Sequence, residues 1–149
     1  RKWAEATGLD TTFVQDNHSR SGAGVVRGLH YQVSHVQGKL VRVVTGEIYD
    51  VAVDLRRSSP TFGHWVGVRL SAENKRQLWI PEGFAHAFMA LGDGADVLYK
   101  TTDVYDREAE RSIRWDDPEL AIDWPLPTAS VVSDKDERGV AFAEAETFA

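Results

Sequence analysis

Three polar side chains with acid–base capacity interrupt segments of the sequence that are otherwise apolar. They are His30, His86 and Tyr99, at positions where packing alone would favour Val or Leu. Taken singly, a histidine in a strand is most often a hydrogen-bonded core residue or a surface residue. A single tyrosine is usually a core residue with its hydroxyl at the rim. A catalytic role for these residues therefore depends on the groups that stand beside them.

The elements that would position these side chains are short strands. Runs rich in Val, Ile and Leu that are separated by turn residues are typical of strands. They occupy residues 24–31, 39–44, 47–55, 65–70, 77–80, 85–91 and 97–102. Many strands at this spacing, without a long helical pattern, indicate an antiparallel sandwich or barrel. Short helices are expected only near residues 3–7 and 106–110.

Alternation along residues 47–55 gives that strand two different faces. One face is that of an ordinary apolar core, with Tyr49, Val51, Val53 and Leu55. The other face alternates Ile48 and Ala52 with the carboxylates Asp50 and Asp54. A dry core does not tolerate carboxylates without partners. This second face is therefore either solvated or the lining of a polar cavity.

Length and composition narrow the class of protein. The 149 residues fit one domain that can bury a core. Seventeen Lys and Arg against 23 Asp and Glu give a net charge of −6, which argues against a broad basic face for nucleic acid. A few Arg and Lys can still converge on a small anionic ligand. The absence of cysteine excludes disulfides and thiolate metal sites. With no apolar run of about 18 residues and no signal-peptide core, we expect a cytoplasmic protein without a membrane partner.

Nine blocks of the sequence carry a recognisable pattern, among them GVVRGLHYQ at residues 24–32 and LWIPEGFAH at residues 78–86. The others are residues 13–19, 37–42, 50–56, 59–63, 113–118, 122–125 and 133–136. Together the blocks resemble the dTDP-4-dehydrorhamnose 3,5-epimerases and follow that family's order over residues 13–136. The resemblance implies a cupin-type antiparallel jelly roll, an all-β sandwich with short helical pieces.

The resemblance also implies a substrate and a proton-transfer mechanism. The expected substrate is dTDP-4-keto-6-deoxy-D-glucose, whose C3 and C5 both neighbour the C4 ketone. Epimerisation next to a ketone needs a base, an acid on the opposite face and a cation near the enolate oxygen. His30 matches the family's base, and Asp136 matches the carboxylate that orients its ring. Lys39 matches the cation, and Tyr99 matches the acid. No metal or organic cofactor is expected.

A further set of positions matches the family's substrate-binding residues. They are Gln15, Asp16, Asn17, Arg27, His86, Glu110, Lys135 and Tyr105. Arg27 is expected to meet the diphosphate, because guanidinium groups form charge-assisted hydrogen bonds with phosphates. Asp50 is expected to hold His86. Tyr105 is either a determinant of which carbon is epimerised or an aromatic residue at the rim.

The resemblance implies a homodimer as well. In the family, an N-terminal strand carries an Arg and a Glu that contact the substrate across the dimer. That strand would lie before position 1. We therefore expect residues 1–149 to form a single epimerase domain that lacks it.

Three other functions remain open from the sequence. Residues 81–86 resemble the second half of the metal-binding cupin pattern. The first half needs two histidines separated by one residue, whereas Tyr31 and Gln32 follow His30. A non-catalytic module that binds sugar nucleotides would not need a base and an acid. An enzyme that epimerises only C3 or only C5 of an antibiotic deoxysugar would keep both.

Overall fold

The computed structural model describes residues 1–129 and 131–149. This part of the chain consists mainly of strands, with two short α-helices and one 3₁₀ helix. None of these helices has the length and apolar character needed to cross a membrane. In chain order the elements are α1 (Lys2–Thr7), β1 (Gln15–Ser21), β2 (Val25–Gln32), β3 (Lys39–Asp54), β4 (Trp65–Ser71), β5 (Gln77–Ile80), β6 (Phe84–Thr101), β7 (Glu110–Ser112), β8 (Val131–Val132), α2 (Asp134–Glu137) and the 3₁₀ helix (Phe142–Glu144).

The two long strands, β3 and β6, organise the sheet because each changes neighbours along its length. The N-terminal part of β3 pairs with β5 and with the C-terminal part of β6, to which β1 also pairs. We call these segments the β1 half. The C-terminal part of β3 pairs with β4 and with the N-terminal part of β6, beside which β2 and β7 follow. We call these segments the β2 half.

The predicted all-β sandwich with short helices is confirmed. Between the strands named above for the described residues, the pairings are antiparallel except for β2 with β8. The strands β1, β7 and β8 were not predicted, and two predicted details were wrong. β3 was expected as two strands separated at Gly46, and β6 as two strands separated at residues 92–94. Both strands instead continue through these glycines. A helix was expected at residues 106–110, but residues 107–109 form a turn and Glu110 begins β7.

Both faces of the C-terminal part of β3 are buried. Val51, Val53 and Leu55 lie in one core cluster, and Ile48 and Ala52 lie in another. The buried second face carries its two carboxylates with partners rather than in water. Asp54 accepts hydrogen bonds from its neighbours Arg56, Ser59 and Thr61. Asp50 bonds to His86 beside the candidate site.

Gly46 allows the passage from one half of the sheet to the other. The pairing register of β3 with β6 shifts on both sides of this residue. Gly46 has a φ of +78°, and a Cβ at this position would overlap the carbonyl oxygen of Gly94. Glycine is the residue that tolerates both the positive φ and the close approach of a second backbone.

We expect Gly46→Ala to lower the free energy of unfolding by about 3 kcal/mol or more, because the methyl group adds a steric overlap to the cost of a left-handed backbone. The matched control is Gly92→Ala. Gly92 also has a positive φ, +56°, but a Cβ there would have no atom of the described residues within 4 Å. It should cost only about 1 kcal/mol. Urea unfolding measures both values, and equal losses would contradict this account of Gly46.

Candidate active site

His30 and Asp136 form the contact at the centre of the site. His30 lies on β2 just after a register irregularity that begins at Arg27, and its Nε2 is hydrogen-bonded to Oδ1 of Asp136. The other oxygen of Asp136 accepts the backbone N–H of Gly28 at 3.2 Å. Burial alone would raise the pKa of Asp136, but these hydrogen bonds, and the positive charge that His30 carries when its ring is protonated, hold it below its ordinary value. An ionised carboxylate only accepts hydrogen bonds, so His30 Nε2 carries the proton and Nδ1 is the basic atom of the neutral ring.

Helix α2 presents two consecutive residues to the site. Ser133 caps this helix, and its Oγ accepts the backbone N–H of Asp136 at 3.2 Å. The next contact is made by Lys135, whose Nζ lies 3.0 Å from both carboxylate oxygens of Glu110. The single turn of α2 therefore fixes both the partner of His30 and the partner of Glu110.

Glu110 stands beside His30 on β7. Its Oε1 lies 4.0 Å from His30 Nδ1, and its Oε2 accepts the hydroxyl of Tyr105 at 2.8 Å. Burial would raise the pKa of Glu110, but the hydrogen bonds from Lys135 and Tyr105 and the charge of His30 lower it overall. Glu110 is therefore an anion held within reach of the basic nitrogen.

Lys39 is a buried cation at the start of β3, with 9% of its surface exposed. Burial lowers its pKa from 10.5 to about 8, although the negative charges of Glu110 and Asp50 raise it in part. Most Lys39 side chains are therefore charged at pH 7. An ammonium group in such a site can stabilise an oxyanion strongly, because little water screens it.

Tyr99 lies on the C-terminal part of β6, between Val41 of β3 and Asn17 of β1. Its burial, followed by the charge of Glu110, raises its pKa above the ordinary value of 10.0. The phenol therefore keeps its proton at neutral pH and can act as a donor.

The predicted contact between Asp50 and His86 is confirmed. His86 Nε2 and Asp50 Oδ1 are 2.6 Å apart, and Asp50 is fully buried. The second oxygen of Asp50 has no hydrogen-bond partner among the residues that the structure describes. The ring of His86 also packs edge-on to Tyr99, with 6.4 Å between the ring centroids. The ring contact of His86 with Tyr99 connects the β2 half to the β1 half.

A cavity of about 320 Å³ unites ten of the twelve predicted site residues. They are Gln15, Asn17, Arg27, His30, Lys39, His86, Tyr99, Tyr105, Glu110 and Lys135. Asp136 lies behind His30 and joins the site through it. Arg27 is exposed at the rim, where its Nε donates to Ser21 Oγ at 2.8 Å.

Asp16 is the predicted residue that the structure does not bring to the cavity. Side chains alternate along β1, so Gln15, Asn17 and Ser19 face inward while Asp16 faces outward. Asp16 is 72% exposed and accepts a hydrogen bond from Lys100 Nζ at 2.7 Å. Its predicted contact with substrate therefore has no support from its position.

Two residues of the cavity were missed by sequence reasoning, Ser19 and Phe88. Ser19 has a detectable signal, since it stands two and four residues after Asn17 and Gln15 on one face of a strand. Its buried hydroxyl has no hydrogen-bond partner among the described residues. Phe88 carries no such signal, because it reads as an ordinary core residue of β6.

The arrangement can move protons next to a carbonyl group. A base, His30, reaches the cavity from the β2 half, whereas a cation, Lys39, and a protonated phenol, Tyr99, reach it from the β1 half. Among residues 1–129 and 131–149, no group of three or more His, Asp or Glu side chains is arranged to hold a metal ion.

Comparisons with known proteins agree with this chemistry. The family model described as dTDP-4-dehydrorhamnose 3,5-epimerase matches residues 1–144. A dTDP-4-dehydrorhamnose 3,5-epimerase from Pseudomonas aeruginosa is 64% identical over 148 residues, which are 99% of this chain and 82% of the relative. A dTDP-4-dehydrorhamnose 3-epimerase from Streptomyces niveus is 42% identical over 145 residues, 97% of this chain and 70% of the relative.

A solved structure extends the likeness to three dimensions. It is dTDP-6-deoxy-D-glucose-3,5-epimerase from Legionella pneumophila in complex with dTDP-4-keto-L-rhamnose. The TM-score is 0.93 at 55% identity, over 97% of this chain and 77% of that one. The predicted cupin-type jelly roll is thereby confirmed. The chain belongs to the dTDP-4-dehydrorhamnose 3,5-epimerase family.

Proposed function

We propose that this chain epimerises C3 and C5 of dTDP-4-keto-6-deoxy-D-glucose and forms dTDP-4-keto-L-rhamnose without a cofactor. The observation that carries the proposal is the oriented His30–Asp136 pair, which opens onto the same cavity as Lys39 and Tyr99. The family and the names of the relatives support the substrate.

The first step is removal of a proton from the carbon next to the ketone. His30 Nδ1 takes this proton, the C–H bond breaks, and its electron pair moves through the C–C bond to the C4 oxygen. The resulting enolate oxygen is stabilised by the ammonium group of Lys39. Asp136 stabilises the imidazolium that forms and keeps the ring in place, as the carboxylate does in a catalytic triad.

The second step returns a proton from the opposite side. The enolate collapses to the ketone, and its carbon takes the hydroxyl proton of Tyr99. The configuration is inverted because base and acid reach the cavity from different halves of the sheet. The enzyme is left with an imidazolium and a phenolate, and proton exchange with water restores both. The same two steps at the second carbon complete the reaction.

Binding of the nucleotide diphosphate uses the polar rim. Arg27 is exposed at the mouth of the cavity, where a guanidinium can pair with a phosphate. Gln15 and Asn17 lie inward on β1, and Gln15 Oε1 accepts the backbone N–H of Tyr105 at 2.9 Å. These residues form the wall along which the substrate would extend from Arg27.

We also propose that the enzyme works as a homodimer in the cytoplasm, with an Arg and a Glu of the family's N-terminal strand supplied by the partner. The support is the family resemblance, in which that strand would lie before position 1. Light scattering that gives the mass of a single chain for a protein that includes this strand would contradict the dimer.

Epimerisation at C3 alone is the second candidate function, and the Streptomyces niveus relative favours it because it carries that activity in its name. The same base, cation and acid serve one carbon or two. Tyr105, half exposed beside Glu110, is the residue of this site that could influence which carbon is presented.

Proton NMR of dTDP-4-keto-6-deoxyglucose in D₂O with the purified protein should show deuterium entering both C3 and C5. His30→Ala should slow this exchange at least about 10²-fold, because no other described side chain in the cavity replaces the base. Tyr99→Phe should retain the first exchange step better than overall turnover, because the phenol acts after proton abstraction.

Each outcome of this measurement assigns the protein differently. Exchange at C3 alone would support the second candidate. Exchange that persists in His30→Ala would remove His30 from the mechanism. A folded wild-type protein that causes no exchange would overturn the proposed function and leave binding of a sugar nucleotide.

Keeping Lys39 charged in a buried site costs stability. Its pKa falls from 10.5 to about 8, which corresponds to about 3 kcal/mol at pH 7. Between these pH values the unfolded chain binds more protons than the native protein, so the free energy of unfolding should rise with pH over this window. A residue retained at this cost is better explained by catalysis than by folding.

We expect Lys39→Met to raise the free energy of unfolding by roughly 1–3 kcal/mol at pH 7 while it abolishes turnover. The control is Lys100→Met, because the Lys100 side chain is 46% exposed and pairs with the exposed Asp16. It should change stability by less than about 0.5 kcal/mol. Urea unfolding at pH 7 and at pH 10 would record both effects. A destabilised Lys39→Met protein would show that Lys39 is held by a favourable ion pair instead.

We expect Asp50→Asn to reduce kcat/KM about tenfold, because the amide cannot orient the ring of His86 as the carboxylate does. Asp96→Asn is the control, since Asp96 pairs with Arg20 and His18 on the outer face of β1. Thermal melting should show that both variants fold. Unchanged activity in folded Asp50→Asn would count against a role for this pair.

A further inference from the structure

Both carboxylate oxygens of Glu110 are already in contact with side chains of the protein. Tyr105 donates to one of its oxygens at 2.8 Å, and Lys135 approaches both at 3.0 Å. The oxygen that Tyr105 leaves free lies 4.0 Å from Nδ1 of His30. Only 12% of the Glu110 side chain is exposed. It is therefore a fixed and nearly dry negative charge beside the catalytic base.

The pairing of the strands explains this placement. Glu110 on β7 lies opposite Gln32 on β2, and Gln32 shares a face of β2 with His30. Lys135 and Asp136 follow each other on α2, and the first holds Glu110 while the second holds His30. His30 is thus placed between two carboxylates, with Asp136 at Nε2 and Glu110 toward Nδ1.

We infer that Glu110 is a positioning residue for proton transfer: its charge holds the abstracted proton at His30 Nδ1 and keeps Lys39 and Tyr99 protonated. This inference rests on the proposed function. In the first step, the C–H bond breaks and an Nδ1–H bond forms on His30, whose positive charge then lies 4.0 Å from Oε1 of Glu110. Glu110 itself neither gains nor loses a proton.

The electrostatic effect has the required direction at each group. At Lys39, burial lowers the pKa, and Glu110 is the first of the charges that raise it again. At Tyr99, burial raises the pKa most, and Glu110 raises it further. At His30, Oε1 of Glu110 lies 4.0 Å from Nδ1, so its negative charge attracts the proton that this nitrogen receives in the first step. One carboxylate therefore favours the protonated form of base, cation and acid together.

Other ionisable groups also face His30, and the test must separate them from Glu110. From the elements packed around β2 they are Asp136 and Lys135 of α2, His86 and Tyr99 of β6, Lys39 of β3 and Arg27 of β2 itself. Lys135 opposes Glu110 in sign, because its positive charge lowers the pKa of Lys39. Removing Glu110 or Lys135 should therefore have opposite consequences.

Glu110→Gln should lower kcat about 10- to 100-fold and change KM less than about threefold. Both limbs of its kcat–pH profile should move to lower pH, by about half to one pH unit. The acid limb reports protonation of the base. The alkaline limb reports Lys39, whose pKa is about 8, and not Tyr99, whose pKa is raised above 10.0.

Lys135→Gln provides an independent test that does not depend on the folding of Glu110→Gln. It leaves the charge of Glu110 less neutralised, so both limbs should move to higher pH. Tyr105→Phe removes a hydrogen bond but no charge, and should leave both limbs in place. Glu146→Gln is the matched control, since Glu146 is 60% exposed and pairs with Arg111 at 2.7 Å.

The outcomes distinguish the inference from the proposed function. A raised KM with unchanged kcat in Glu110→Gln would make Glu110 a substrate ligand only and overturn the inference. A lower kcat with unmoved limbs would do the same, because it would indicate a packing effect. Absence of any exchange with wild-type protein would instead overturn the proposed function itself.

Discussion

The hydrogen bond between His30 and Asp136 joins parts of the chain that are 106 residues apart. It attaches α2, a helix of one turn that could not persist alone, to the sheet at β2. Asp136 is almost fully buried, which is tolerable only because His30 and the N–H of Gly28 use both its oxygens. Since α2 also carries Lys135, the same contact determines where Glu110 is held.

The cavity concentrates charge at a place where charge is costly. Asp50, Asp136 and Lys39 are each at least nine-tenths buried, and Glu110 is nearly so. Lys39 is the one cation among these four groups, and the charges of Glu110 and Asp50 favour its charged form. Asp136 is compensated by its hydrogen bond with His30 instead. The apolar clusters on the two faces of β3 must provide the stability that this arrangement consumes. The predicted gain in stability for Lys39→Met follows from this opposition between folding and catalysis.

Sequence reasoning was strongest where local pattern and tertiary structure agree. The strands around His30, His86 and Tyr99 were predicted from apolar runs, and Asp50 was recognised because a carboxylate on a core face needs a partner. It failed where tertiary contacts override the local signal. Gly46, Gly92 and Gly94 were predicted to form turns. They lie instead inside β3 and β6, where the pairing register of the two strands shifts. Glu110 was assigned to a helix, because nothing local shows that β2 offers an edge for β7.

The bend in β3 and β6 has a chemical consequence. Lys39 and Asp50 stand on one continuous strand, and His86 and Tyr99 stand on another, so each strand contributes one residue to each half of the sheet. His30 on β2 and Tyr99 on β6, the proposed base and acid, are therefore held apart by the backbones of two strands rather than by loops. Inversion at carbon requires base and acid on opposite sides of a flat enolate, and small displacements of either are costly in rate. Because β3 and β6 stay paired through the register shift at Gly46, the backbone at this glycine helps to set where Lys39 and Tyr99 lie relative to Asp50 and His86.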